Sequence, residues 1–254
     1  MILGPLAGGQ HAQTFAVEVG ELEAVLRVFP AADDAVEREL IVLDAVAVLG
    51  ELVPSYLWHG QVEGRPAILT TRVAGSPPPP QLDPSAIAAE MGRMLARIHR
   101  IAPAGLADVV RAPTAGGTEI HSSAAAAWAS KDEEPSVLAH NDYWCGNLLW
   151  SGRSVTGVVD WSGAGAAPAG HDLAWCRQDL VLLGSWSAAS TLIDSYADAG
   201  GAVPEQLAVW DLAAAASAQA RVETWAPNYL GIGRADIDGD VLRRRLDAWN
   251  STLL

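Results

Sequence analysis

Short runs of alternating or clustered apolar residues fill the first part of the chain, and helix-period patterns dominate after it. Thr14-Phe15-Ala16-Val17-Glu18-Val19 and Ala24-Val25-Leu26-Arg27-Val28-Phe29 read as strands, and Gly8-Gly9 marks a turn after the apolar start Ile2-Leu3. Pro30 ends the third run. Asp33-Asp34 then caps a helix that carries Val36, Leu40, Leu43 and Val46-Ala47 on one face, with Glu37 and Glu39 in its early turns. Val53 to Trp58 and Ala67 to Val73 read as two further strands. The order β-β-β-α-β-β lacks the βαβ alternation of a dinucleotide-binding domain.

Gly75-Ser76-Pro77-Pro78-Pro79-Pro80 is the sharpest break, an extended and semi-rigid connector that divides residues 1–75 from 76–254. Beyond it, Asp83-Pro84 starts a helix through Ala89, Met91, Leu95 and Ile98 that ends near Arg100. Residues 103–117 read as loop and 118–130 as an alanine-rich helix. Short strands are predicted at 137–139, 147–150 and 155–159. Helices follow from Asp172 and through 187–199, 204–225 and 237–251. The class is α+β: a small antiparallel sheet with one helix, then a larger, mostly helical part.

Composition narrows the functions. The 254 residues carry a formal net charge of −14, which argues against nucleic acid or an anionic membrane as partner, since both need a basic footprint. A cationic small molecule is compatible with that charge, although solubility explains it more simply. No apolar run is long enough to span a bilayer, and Met1-Ile2-Leu3-Gly4-Pro5 lacks signal-peptide character, so a cytoplasmic protein is expected. Cys145 and Cys176 are the only cysteines and read as reduced, partly buried thiols. Lys131 is the only lysine, so positive charge elsewhere is arginine.

The chemistry concentrates in His140-Asn141-Asp142-Tyr143-Trp144-Cys145-Gly146-Asn147, followed by Val158-Val159-Asp160-Trp161. Asp142 and Asn147 have the spacing H-x-D-x-x-x-x-N, and Asp160 closes an apolar run. Phosphoryl transfer to a hydroxyl requires a base for the departing proton and hard oxygen ligands that hold Mg²⁺ against ATP. Asp142 fits the first need, Asn147 and Asp160 the second.

With those residues in view the chain resembles the aminoglycoside phosphotransferase family, small-molecule kinases with a protein-kinase-like two-lobed fold. The resemblance rests on His140-Asn141-Asp142, Asn147, Val158-Val159-Asp160-Trp161 and Gly170-His171-Asp172-Leu173-Ala174. Leu6-Ala7-Gly8-Gly9-Gln10, Arg38-Glu39-Leu40, Leu69 to Gly75 and Leu95-Ala96-Arg97-Ile98-His99 extend it upstream. It implies a nucleotide-binding N-lobe over 1–75 and a C-lobe over 76–254 with the catalytic loop and acceptor-binding helices. It further implies that Asp142 is the base, that Asn147 and Asp160 hold Mg²⁺, and that Gly8 and Gly9 let backbone N–H groups approach the ATP phosphates. Thr71 and Val73 would meet the adenine edge through backbone groups, and His140 and Asp172 would support the catalytic loop. Arg27 stands where the family often has lysine, and pairing with Glu39 would keep the usual ion pair in altered form. Asn141 replaces the glycine of H-G-D, and asparagine tolerates a positive φ better than most residues.

Plainer explanations stand beside several of these. His99, at the end of an apolar helical face, reads as a satisfied imidazole rather than a ligand. Trp144, Trp161 and Trp175 surround the motif and suit either stacking on a sugar or cation, or core packing. Glu223, Asp194 and Asp198 suit a cationic substrate or a solvated helix face. Two rival functions remain at this point: a silent nucleotide-binding module, and a metal-dependent phosphohydrolase using Asp142, Asp160 and His171-Asp172.

Overall fold

A computed structural model describes residues 1–6, 12–31 and 33–254. Its first part is a five-stranded antiparallel sheet of β1 (Ile2–Pro5), β2 (Gln13–Val19), β3 (Leu22–Val28), β4 (Tyr56–Val62) and β5 (Arg65–Thr71), ordered β1-β2-β3-β5-β4. The central β3 pairs Arg27 with Thr14 on one side and Ile68 on the other, which fixes the guanidinium at mid-sheet. Helix α1 (Ala35–Val46) packs on β4 and β5 and also reaches a 3₁₀ turn at Trp161–Gly163. That second contact ties the sheet to the distant motif.

The expected β-β-β-α-β-β order is present, with the last two strands shifted. Residues 47–52 continue α1 as 3₁₀ turn through Gly50 at φ 64°, so the strand expected from Val53 begins at Tyr56. The β4–β5 hairpin turns at Glu63 and Gly64, both at positive φ, which starts β5 at Arg65 rather than Ala67. The left-handed region suits glycine and strains most other residues.

After the sheet the chain does not float. Ser76 exchanges backbone hydrogen bonds with Trp150 (3.1 and 2.7 Å), and Gly75 passes so close that a Cβ there would meet Leu149 Cβ at 2.8 Å. The rest is helical: α2 (Pro84–Ile98), α3 (Glu119–Ala129), α4 (Gly170–Leu183), α5 (Trp186–Asp198), α6 (Leu207–Ala218), α7 (Ala226–Gly231) and α8 (Gly239–Leu253). Asp83 caps α2 by accepting from Ser85 N–H at 2.7 Å, with Pro84 in the first turn. Inserted among them are two hairpin-like pairs, β6 (Ser136–Ala139) with β9 (Gly165–Pro168), and β7 (Leu148–Ser151) with β8 (Ser154–Val158).

Two expectations fail here. The helix expected over 204–225 stops at Ala218; a 3₁₀ turn at Val222–Trp225 and the short α7, with Pro227 at its start, replace its end. Strand β9 was not foreseen, because Gly165-Ala166-Ala167-Pro168 has no alternation to read. Its small residues answer a tertiary demand: a Cβ on Gly165 would sit 2.5 Å from the Ala107 carbonyl oxygen.

One face of α4 and the inner faces of α2 and α5 build the core below the motif, with Met91, Leu95, Ile98, Leu180 and Leu192 at or near zero exposure. Gly92 sets the α2–α5 separation, since a Cβ there would lie 2.5 Å from Leu192 O and 2.9 Å from Tyr196 N. Both are backbone atoms that cannot swing aside. Gly92→Ala is therefore expected to lower stability by about 1–3 kcal/mol in urea unfolding, the usual size of an overpacking defect. An unchanged midpoint would mean that the two helices are free to part.

Candidate active site

Strand β6 delivers His140 to the mouth of the helical part, and the loop from His140 to Asn147 crosses to β7. Its shape is held by one carboxylate. Asp172, in the first turn of α4 and 1% exposed, accepts the backbone N–H of His140 at Oδ2 (2.7 Å) and that of Asn141 at Oδ1 (2.8 Å). His99 Nε2 lies 3.2 Å from the same Oδ2, and His99 Nδ1 lies 2.8 Å from the hydroxyl of Tyr196. A chain Tyr196–His99–Asp172 thus runs from α5 through the end of α2 to the catalytic loop. Burial alone would raise the Asp172 carboxyl, but the His99 hydrogen bond and the fields of His99, His171 and His140 hold it down at about 2.

The loop then turns through Asn141 at φ 65°. The Asn141 amide makes that turn specific: Nδ2 donates to Gly163 O (2.9 Å), and Oδ1 meets His171 Nε2 (2.5 Å). His140 is fully buried, with Nε2 against Val159 O (2.9 Å) and its ring packed on Trp161. Its position is that of a strut rather than a proton carrier.

Asp142 and Asn147 meet at the cleft surface. Asn147 Nδ2 lies 2.9 Å from both the carbonyl oxygen and Oδ2 of Asp142, which commits its N–H donors and leaves its Oδ1 as an oxygen donor. Asn147 is also tied to the next strand through Val159 N–H to Asn147 O (2.9 Å). Asp142 is reachable by solvent yet walled by protein. That partial burial raises its carboxyl above the usual carboxylate value, opposed by His140, reinforced by Asp160, and opposed again by the Asn147 hydrogen bond.

Asp160 sits in a left-handed turn at φ 63°. Its Oδ1 is 2.8 Å from Arg27 Nη2 and 3.0 Å from the Ser162 hydroxyl. Arg27, 9% exposed, places Nη1 2.6 Å from Glu39 Oε1, so a single guanidinium joins β3, α1 and the turn after β8. The Arg27–Glu39 pair expected from the sequence is thus present in space, and Asp160 is a further partner the sequence does not reveal. Glu39 is pushed up by burial and drawn back by Arg27.

Asn147 thus touches Asp142 directly and holds Val159, the residue before Asp160, through its backbone. An amide oxygen and a carboxylate on a site already balanced by a cation are hard donors of the kind Mg²⁺ takes when phosphate oxygens complete its shell. Among the described residues no group of three or more His, Cys, Asp or Glu side chains is arranged to hold a metal alone. Thr71 and Val73 lie at the end of β5 and just beyond it. Thr71 N–H is used by Ser55 O (2.9 Å), and Val73 N–H has no hydrogen-bond partner among the described residues. Gly8 and Gly9 lie outside the described residues.

Other candidates resolve plainly. His99 is a buried, doubly bonded imidazole. Asp172 and His171 point into the loop's own backbone and amide, which gives a phosphohydrolase metal site no support. Trp161 is core; Trp144 and Trp175 are half-buried and pack against Tyr229 and Trp225. Glu223 is held by Arg243 (2.6 and 2.8 Å). Both cysteines are buried thiols, pushed well up by burial, so neither is a nucleophile. Ser162 and Tyr196 are the functional neighbours that sequence reading missed, and no motif marks either one.

This is the two-lobed fold of the protein-kinase-like phosphotransferases, with the motif at the junction of sheet and helices. A profile of the phosphotransferase enzyme family (APH) matches residues 3–210, and the chain belongs to that family as a small-molecule phosphotransferase. Solved structures agree on the fold. A thermostable mutant of aminoglycoside phosphotransferase APH(4)-Ia, in ternary complex with AMP-PNP and hygromycin B, superposes with TM-score 0.65 at 18% identity, covering 99% of this chain and 93% of that one. Macrolide 2'-phosphotransferase MphH from Brachybacterium faecium gives 0.62 at 17% identity, over 100% and 91%. An aminoglycoside-3'-phosphotransferase of type VIII gives 0.60 at 18%, over 84% and 91%. No curated protein matches the sequence.

The clamp has a pH signature. A carboxyl at about 2 in the folded chain, against an ordinary value of 3.8, contributes about 2 kcal/mol that is present above pH 3.8 and lost as pH falls through 2. Between pH 6 and pH 3 the native chain is expected to lose roughly 1 kcal/mol more stability than Asp172→Asn in urea unfolding. Parallel pH profiles would remove the clamp.

Proposed function

We propose that the chain transfers the γ-phosphoryl group of ATP to a hydroxyl of a small, cationic acceptor, with Mg²⁺ as the required metal. The observation that supports the proposal is the Asn147–Asp142 hydrogen bond (2.9 Å), beside the bond from Val159 N–H, next in sequence to Asp160, to Asn147 O (2.9 Å). Residues 1–75 act as the nucleotide-binding lobe and 76–254 as the catalytic and acceptor-binding lobe. The Thr71 carbonyl and the Val73 N–H, which has no partner among the described residues, receive the adenine edge. Gly8 and Gly9 cover the phosphates. Arg27, braced by Glu39, faces the phosphates as the fixed positive charge.

Asp142 accepts the acceptor's hydroxyl proton as the oxygen–phosphorus bond forms and the bond from the γ-phosphorus to the bridging oxygen breaks, leaving ADP. Partial burial raises its carboxyl, which makes it a stronger proton acceptor than an exposed carboxylate, and Asn147 holds it in line. Asn147 Oδ1 and Asp160 would hold Mg²⁺, which when bound neutralises the triphosphate charge. Most of the rate then comes from positioning and fixed charge. A cationic acceptor is compatible with the net charge of −14, and a neighbour of the same fold is crystallised with hygromycin B.

An ADP-release screen over aminoglycosides, amino sugars and amino alcohols, followed by product mass spectrometry, identifies the acceptor. With it, Asp142→Asn is expected to lower kcat by about 10²–10⁴-fold while ATP still binds in calorimetry. Asp160→Ala is expected to weaken Mg–ATP binding as well. Ordinary turnover in Asp142→Asn would sink the base assignment.

A further inference from the structure

Behind the catalytic loop lies a cavity of about 470 Å³, between the end of α2, the segment preceding β6 and the 200–206 loop after α5. None of Asp142, Asn147 or Asp160 lines it. Its volume is within the range of small-molecule sites, its walls are mostly alanine, valine, glycine and proline, and carboxylates of Asp132, Glu133, Glu134 and Glu205 stand around it. Asp132 is engaged by Gln206 (3.0 Å) and Glu134 by the Trp210 indole (2.8 Å), with Lys131 3.8 Å from Glu134. Glu133 and Glu205 have no side-chain partner among the described residues. Arg100, the one cation that lines the cavity, donates to the Ala199 carbonyl. The local field is negative.

The floor is chemically specific. Tyr196 and His99 both line the cavity from below its surface, with only 1% and 8% of their area exposed, and both are members of the chain that ends on the catalytic loop. The tautomer follows from the network. The ionised Asp172 only accepts, which puts a proton on His99 Nε2; in the neutral imidazole Nδ1 then accepts from the Tyr196 O–H. The Tyr196 oxygen then keeps its lone pairs, and an ammonium N–H is the group that fits an oxygen acceptor below a ring of carboxylates.

We propose that this cavity is an effector site for a small organic cation with an apolar body, and that its occupant acts on the catalytic loop through Tyr196, His99 and Asp172. The ammonium donates to the Tyr196 oxygen and to Glu133 or Glu205, while the apolar body fills the space between α2 and α5. Polarising the Tyr196 hydroxyl alters the hydrogen bond it gives to His99, hence the one that His99 gives Asp172, and so the carboxylate that fixes His140 and Asn141. None of Asp142, Asn147 and Asp160 lines the cavity, so an occupant there leaves those three side chains free for nucleotide and acceptor.

The test uses the full chain, ¹⁵N-labelled, titrated with cyclohexylmethylamine and separately with cyclohexanecarboxylate, the same body with the charge reversed. The amine is expected to saturate with Kd on the order of 1 mM, moving the amides of Gly200 and Gly201 together with those of His140 and Asn141. The carboxylate is expected to move none of them. The doubly substituted E133Q/E205Q chain, altered only at exposed positions, is expected to bind the amine at least about tenfold more weakly. Tyr196→Phe is expected to keep the Gly200 and Gly201 shifts and lose those at His140 and Asn141. Equal binding of the two probes, or no saturation of the Gly200 and Gly201 signals, would overturn the site. Saturation at Gly200 and Gly201 with His140 and Asn141 unmoved in the native chain would overturn the coupling. None of these readouts involves turnover, so failure here leaves the phosphotransfer reading standing, and failure of that reading leaves this one.

Discussion

Two backbone N–H groups, from His140 and Asn141, end on the two oxygens of one buried carboxylate, and the geometry of the cleft follows from that arrangement. A loop that leaves a strand and turns through a left-handed residue has no ladder to satisfy its amides. Asp172 supplies the missing acceptors. It can remain ionised in the interior because it receives two N–H donors and an imidazole besides. With the loop's first two residues fixed from below, Asn141 can spend its amide on Gly163 and His171, and Asp142 is carried to the cleft surface without needing a support of its own. Asn147 then closes the loop by returning to Asp142.

A second constraint joins the two parts of the molecule. Arg27 is buried at mid-sheet with carboxylates on both sides, one from α1 and one from the turn after β8. A buried charge without partners would be untenable, and a planar guanidinium reaches two carboxylates at once in a way a lysine ammonium does with less geometric control. The sheet, α1 and the Asp160 turn are consequently set relative to one another by a single side chain. The contact of α1 with the Trp161–Gly163 turn runs alongside and keeps that geometry from depending on charge alone.

Much of this was legible from residue order. The strands of the sheet announce themselves by β-branched and apolar runs between glycines and prolines, and α1 and α2 by their caps and apolar faces. The spacing marked Asp142 and Asn147, which the fold joins by a hydrogen bond, and Asp160, which follows the residue bonded to Asn147 O. What the order concealed depends on distant partners. Strand β9 is a strand because β6 and the segment at 107–109 need small neighbours. The break after Ala218 reflects packing of a short 3₁₀ turn and α7 that no apolar period encodes. Tyr196 looks like any helical aromatic until α5 is laid against α2, and Ser162 is an ordinary serine until the turn brings it to Asp160. The hairpin at Glu63-Gly64 set the register of β4 and β5, and only its left-handed backbone reveals where those strands begin.

The arginine-only cleft has a practical side. The one side-chain amine in this sequence is that of Lys131, whose ammonium rests over the Trp128 and Trp210 rings at 5.5 and 4.9 Å, in the helical part. Reagents that acylate amines, including those built on nucleotides to seek out a lysine beside the phosphates, have no nucleophile to capture in the described part of this cleft. The same scarcity makes Lys131 the one side chain of this sequence that an amine-directed label or surface tether can acylate, which leaves Arg27 and its partners untouched.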